Sequence, residues 1–129
     1  MPNQAKILVV DDDPDILEAV TTVLESQLYE VDTARDGVEC LEKIRESIPD
    51  LLILDLLMPR KDGFEVVKEL RGNPKYTDVP ILILTSVRED ASRRRYELET
   101  GLAMDVQDYV EKPIPPLDLL HRVQKLLKR

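Results

Sequence analysis

Ile7-Leu8-Val9-Val10-Asp11-Asp12-Asp13-Pro14 decides the fold. Four apolar residues in a row, without alternation, suit a strand covered on both faces, as in a parallel sheet. The run stops abruptly on three acids and a proline. Asp13-Pro14 reads as a helix N-cap followed by proline at the first helical position, so the strand turns at once into a helix. Working outward, the same design recurs. Leu51-Leu52-Ile53-Leu54 runs into Asp55, and Ile81-Leu82-Ile83-Leu84 runs into Thr85. Residues 29–34 and 106–110 are weaker strand candidates.

Helical spacing fills the intervals. Residues 14–28 put Ile16, Val20, Val23, Leu24 and Leu28 on one stripe, and residues 38–48 do so with Leu41, Ile44 and Ile48. Residues 64–71 carry Phe64, Val67 and Leu70, and residues 117–128 carry Leu120, Val123 and Leu127. Residues 89–100 are helix-like but mostly charged, with Ala91, Tyr96 and Leu98 as anchors. Strand and helix thus alternate five times, which predicts an α/β domain with a parallel sheet and right-handed crossovers.

The chain has 129 residues, of which 43% are hydrophobic, enough for one packed domain over residues 1–129. With 34% charged residues and apolar runs of only a few residues, no membrane span is expected. Lys and Arg total 18 against 26 Asp and Glu, a net charge of −8 that opposes direct nucleic acid binding. Arg93-Arg94-Arg95 is flanked by Glu89, Asp90, Glu97 and Glu99 and reads as a solvated, salt-bridged face. The single cysteine, Cys40, excludes an internal disulfide framework and reads as packing. Met1-Pro2-Asn3-Gln4 lacks the basic and long apolar regions of a secretory signal, so the cytoplasm is the expected compartment.

Ligands of open parallel sheets sit beyond the carboxyl ends of the strands. Those ends deliver Asp11 and Asp12, then Asp55, then Thr85-Ser86, and finally Lys112 after the last strand. Carboxylates crowded together repel, by roughly 4 kcal/mol for a pair ~4 Å apart at an effective dielectric near 20. A hard divalent cation relieves this, and Mg²⁺ favours a few carboxylates, waters and a phosphate oxygen. Acids, a lysine and a hydroxyl together suit phosphoryl transfer, with a carboxylate as nucleophile.

Four segments then resemble one family: Ile7 to Pro14, Asp55-Leu56-Leu57-Met58-Pro59-Arg60-Lys61-Asp62-Gly63, Ile83-Leu84-Thr85-Ser86 and Asp108-Tyr109-Val110-Glu111-Lys112-Pro113. In this order and at these spacings the chain is similar to the receiver domain of two-component response regulators, which take a phosphoryl group from a histidine kinase or a phosphotransfer protein. The resemblance implies a doubly wound five-stranded parallel sheet of order 2-1-3-4-5, the flavodoxin-like (βα)5 fold. It implies Asp55 as phosphoacceptor. It implies Mg²⁺, with Mn²⁺ able to substitute, on Asp11, Asp12, Asp55 and the backbone carbonyl of Leu57. Thr85 and Lys112 would meet phosphoryl oxygens, and Tyr109 would change rotamer with Thr85. A Lys112-Pro113 bond in cis is expected. The responding surface would comprise residues 89–100, the fifth strand and the last helix, facing a downstream protein or output domain, with a homodimer left open. One departure is the stretch Leu102 to Gln107, longer than the family usually carries.

Other readings fit less well. A haloacid-dehalogenase-type phosphatase needs an acid two residues after its nucleophile, where Leu57 stands. A flavin-phosphate cradle would not hold three aspartates, which repel phosphate. A degenerate receiver that only docks partners is disfavoured by the complete acceptor set. Asp13 is assigned to the cap and His121 to the surface or its boundary.

Overall fold

The three uninterrupted apolar runs are the three central strands. The computed structural model describes residues 5–85 and 106–128. In chain order these form β1 (Lys6–Val10), α1 (Pro14–Glu25), β2 (Glu30–Ala34), α2 (Gly37–Glu46), β3 (Leu51–Leu54), α3 (Gly63–Arg71), β4 (Ile81–Thr85), β5 (Asp108–Glu111) and α4 (Pro116–Lys128). All strand pairs are parallel and the sheet order is β2-β1-β3-β4-β5, as expected. The expected helix over residues 89–100, Ser86 and residues 102–105 lie outside the described residues. No helix among the described residues is long and apolar enough to cross a membrane.

Alternation along each strand divides the core between the two faces of the sheet. Leu8, Val10, Leu52, Leu54, Ile81 and Ile83 pack with Leu41, Ile44, Val66, Val67 and Leu70, so α2 and α3 cover one face. Ile7, Val9, Leu51, Ile53, Leu82 and Leu84 pack with Leu17, Val20, Leu24, Leu119 and Val123, so α1 and α4 cover the other. Both faces are therefore dry over the centres of β1, β3 and β4, which is why Ile7–Val10, Leu51–Leu54 and Ile81–Leu84 are apolar at every position. The edge strand β2 alternates between exposed and covered residues and gives the weaker signal.

Local chemistry sets the element ends. Asp13 accepts the Asp15 N–H at 2.9 Å and caps α1. α1 ends at Glu25 and not at residue 28: Gln27 and Leu28 N–H groups turn back to the Leu24 and Glu25 carbonyls at 3.0 and 2.9 Å. Leu28 then takes φ 68° and points outward, 61% exposed, and Leu17 joins the buried stripe where Leu28 was expected. α2 likewise stops at Glu46, because Ser47 is extended, and this leaves Ile48 43% exposed. On α3 Val66 is buried and Phe64 only partly so. On α4 Leu119 and Val123 are buried, while Leu120 and Leu127 pack at the margin. β5 begins at Asp108, two residues later than its apolar pattern suggested. The Gln107 side chain there accepts the Ile81 N–H at 2.7 Å, and its own N–H reaches the Ile81 carbonyl at 3.0 Å. Cys40 is fully buried packing and His121 is exposed.

Candidate acidic site at the carboxyl edge of the sheet

Register alone brings the acids together. Val10 pairs with Leu54, so the next residues, Asp11 and Asp55, leave the sheet side by side. The Asp55 N–H donates to the Val10 carbonyl at 2.9 Å and fixes that alignment. Asp11 and Asp55 are only 2% and 5% exposed, whereas Asp12 is open to solvent. One carboxylate oxygen from each of the three lies within 4.8 Å of the others.

The neighbouring strands bring the other partners. Thr85, fully buried at the end of β4, donates its hydroxyl to Asp55 Oδ1 at 3.2 Å. Beyond β5 the Lys112 N–H reaches the Thr85 carbonyl at 2.7 Å, and the Lys112-Pro113 bond is cis. The Lys112 ammonium bonds Asp11 Oδ2 at 2.5 Å and stands 3.9 Å from Asp55 Oδ2. Asp11 Oδ1 takes the Asp13 N–H at 2.9 Å. The Leu57 backbone N–H lies near enough to the Asp55 carboxylate to favour its charged form, so Leu57 meets the site through its amide. Tyr109 lies opposite Ile83, half-buried, with its ring against the α2–α3 side of the core. The structure thus gathers Asp11, Asp12, Asp55, Leu57, Thr85 and Lys112 at one edge, with Tyr109 two registers below Thr85.

The electrostatics follow from burial. Desolvation, and then the nearby Asp11 charge, push the Asp55 carboxyl up to about 7. Lys112, the Leu57 N–H and Thr85 oppose this without cancelling it. Asp11 is raised as well, by burial, against the Lys112 hydrogen bond. Among the described residues one ammonium stands with three carboxylates, so the ionised cluster they form is short of positive charge. Its free donors are hard carboxylate oxygens, partly open to water at Asp12. That donor set fits Mg²⁺ or Mn²⁺ and suits neither a soft nor a nitrogen-preferring metal.

Two features escaped sequence reasoning. Gly63 is needed where it stands, because a Cβ there would meet the Asp55 carbonyl oxygen at 2.4 Å. Asp62 just before it forms with Glu65 the capping box that starts α3. Asp36, 8% exposed, is ion-paired to Arg60 and ties the β2–α2 junction to the loop after Asp55. No pattern in the sequence pairs those two residues.

The comparisons agree with this geometry. Residues 7–124 match the family model described as the response regulator receiver domain. Response regulator MprA of Mycobacterium tuberculosis is 44% identical over 124 residues, covering 96% of this chain and 51% of that protein. The chain therefore spans about half the length of such relatives. The structure of chemotaxis response regulator CheY4 of Vibrio cholerae superposes with a TM-score of 0.83 at 35% identity, covering 97% of this chain and 100% of that one. The signal receiver domain of a signal transduction histidine kinase from Syntrophus aciditrophicus gives 0.83 at 31% identity, covering 95% and 89%. With its five-stranded order, its strand-end acids and these relatives, the chain belongs to the response regulator receiver domain family, the phosphoryl-accepting switches of two-component signalling.

Proposed function

We propose that Asp55 is the phosphoacceptor of a receiver domain spanning residues 1–129, and that the phosphoryl group comes from a histidine kinase or a phosphotransfer protein. The observation that carries this reading is the convergence of Thr85, Lys112 and the Leu57 N–H on one buried carboxylate. Mg²⁺ held by Asp11, Asp12, Asp55 and the Leu57 carbonyl would neutralise charge on the transferring phosphoryl oxygens. Ionised Asp55 attacks phosphorus through one carboxylate oxygen. A P–O bond forms, the P–N bond to the donor imidazole breaks, and a proton from water replaces phosphorus on that nitrogen. Thr85 then donates its hydroxyl to one phosphoryl oxygen and Lys112 its ammonium to another. Burial keeps the three donors aligned before the group arrives, so little reorganisation is needed.

The phosphoryl group adds about one negative charge and three acceptor oxygens. Thr85 and Lys112 are drawn toward it, and Tyr109 follows Thr85. The responding surface is then residues 89–100 with β5 and α4. Phosphate favours the active arrangement only by the difference between its contacts in the two states.

The test is incubation of the chain with Mg²⁺ and acetyl phosphate, followed by intact mass and peptide mapping. Gain of one phosphoryl group on Asp55, lost on addition of a chelator beforehand, is the expected result. Modification elsewhere, or equal uptake by Asp55→Asn, would overturn the assignment.

A further inference from the structure

The loop of residues 56–62, which follows Asp55, is fastened along its length. Its two ends are closed together by the Gly63 N–H, which donates to the Leu56 carbonyl at 2.9 Å. In its middle Arg60 takes a left-handed φ of 69°, a conformation that a non-glycine residue holds only when its surroundings impose it. The imposing groups belong to the β2–α2 junction. Asp36 Oδ2 accepts Arg60 Nε at 2.9 Å and Nη2 closer still. The Gly37 N–H donates to the Lys61 carbonyl at 2.9 Å. Gly37 is so near that a Cβ would stand 2.3 Å from that oxygen. Asp36 is fixed in turn, because its Oδ1 caps α2 by accepting the Glu39 N–H at 2.9 Å. At the near end of the same loop, the Leu57 N–H is close enough to the Asp55 carboxylate to favour its charge.

We propose that Asp36 and Gly37 are positioning residues for the acceptor: they hold loop 56–62 on the β2–α2 junction, keep the Leu57 backbone against the Asp55 carboxylate, and thereby set the affinity of the site for Mg²⁺. This rests on the phosphoacceptor reading above. The loop has no other strand to lie on, since it leaves β3 at its carboxyl end and returns as α3 beneath the sheet. Among the described residues, the loop's other ties run to its own flanks: the Gly63–Leu56 hydrogen bond, the Lys61–Glu69 ion pair, the Asp62–Glu65 capping box, the Leu57 amide beside Asp55 and the burial of Leu56 and Met58. The latch lies beyond β2 while the carboxylates belong to β1 and β3, so Asp36 acts on Mg²⁺ through the loop and not as a ligand.

Three variants of the full chain separate the contributions. Asp36→Asn keeps the acceptor that caps α2 and removes the charge facing Arg60. Arg60→Gly removes the ion pair and relaxes the backbone. Gly37→Ala pushes the loop off the junction. Mg²⁺ binding is read by calorimetry, phosphoryl uptake from acetyl phosphate at saturating Mg²⁺ by intact mass, and folding by melting in chelator. Gly37→Ala should weaken Mg²⁺ binding about tenfold, and the other two about threefold. Uptake at saturating Mg²⁺ should return close to the wild-type level, which a general loss of structure would not allow. Wild-type Mg²⁺ affinity in folded Asp36→Asn and Arg60→Gly would overturn the latch, and these two decide should Gly37→Ala fail to fold. A parent chain that bound no Mg²⁺ would overturn the phosphoacceptor reading and the latch with it, whereas binding shared equally by parent and variants overturns the latch alone.

Discussion

Asp55→Asn should stabilise the metal-free protein at neutral pH, although it deletes the residue at the centre of the site. The Asp55 carboxyl is pushed from 3.8 up to about 7 by burial and by Asp11. A carboxyl with a raised folded-state pKa holds its proton longer in the native state. Its contribution is fully present below the unfolded value and is lost as pH rises through the folded value. A shift of about 3 units corresponds to roughly 4 kcal/mol at about pH 8. Asparagine avoids the charge and keeps an acceptor for Thr85 and Leu57, but it sets an amide near the Lys112 ammonium. An imperfectly satisfied buried amide costs about 1–3 kcal/mol, so the net gain is about 2 kcal/mol. Urea unfolding followed by circular dichroism in chelator, from about pH 5 to about pH 8, measures it. The variant's advantage should grow with pH across that window. Saturating Mg²⁺ should reverse the order, since a ligand at 100 times its Kd adds about 2.7 kcal/mol to the parent alone. A variant less stable than the parent at about pH 8 without metal, or a difference flat with pH, would refute the electrostatic account.

The division of the acidic triplet is tested in parallel. Asp12→Asn should lose most Mg²⁺ affinity, while Asp13→Ala should keep it and cost about 1 kcal/mol of stability through its lost cap; calorimetry with urea unfolding compares them. Lys112→Met leaves Asp11 buried without its cation and should cost about 3 kcal/mol near pH 8, with a smaller loss near pH 5, where Asp55 is protonated and adds no charge beside Asp11. Gln107→Ala strips the Ile81 N–H of its 2.7 Å acceptor and should cost about 1–2 kcal/mol in the same urea assay.

Residues buried on both sides advertise themselves, which is why β1, β3 and β4 were readable as uninterrupted apolar runs and their carboxyl ends as the place where the acids gather. Signals weakened wherever a residue's environment was set by something distant in sequence. Leu28 has the spacing of a core residue, yet a local turn after α1 swings it into solvent. Gln107 is polar and reads as loop, yet its carboxamide completes the β4 edge and fixes where β5 begins. In each case a backbone hydrogen bond overrode side-chain periodicity, and periodicity carries no record of which amide will need an acceptor.

The acidic site divides along the same line. Asp11, Asp55, Thr85 and Lys112 could be placed together because each ends a strand or follows one, and the parallel register does the rest. The loop that supports them could not be placed, because its fastening to Asp36 and Gly37 crosses from one connection to another. A charge pair between Asp36 and Arg60, and a missing Cβ at Gly37 against Lys61, each join residues 24 apart in the chain without any periodic pattern. The asymmetry has a physical origin. Groups that meet substrate must stand at the mouths of regular elements, where the sheet fixes them to a fraction of an ångström. Groups that hold a loop need only one complementary contact, and many residue pairs can supply it. The orientation of Leu57 toward Asp55 is therefore a property of the β2–α2 junction as much as of the segment that contains Leu57.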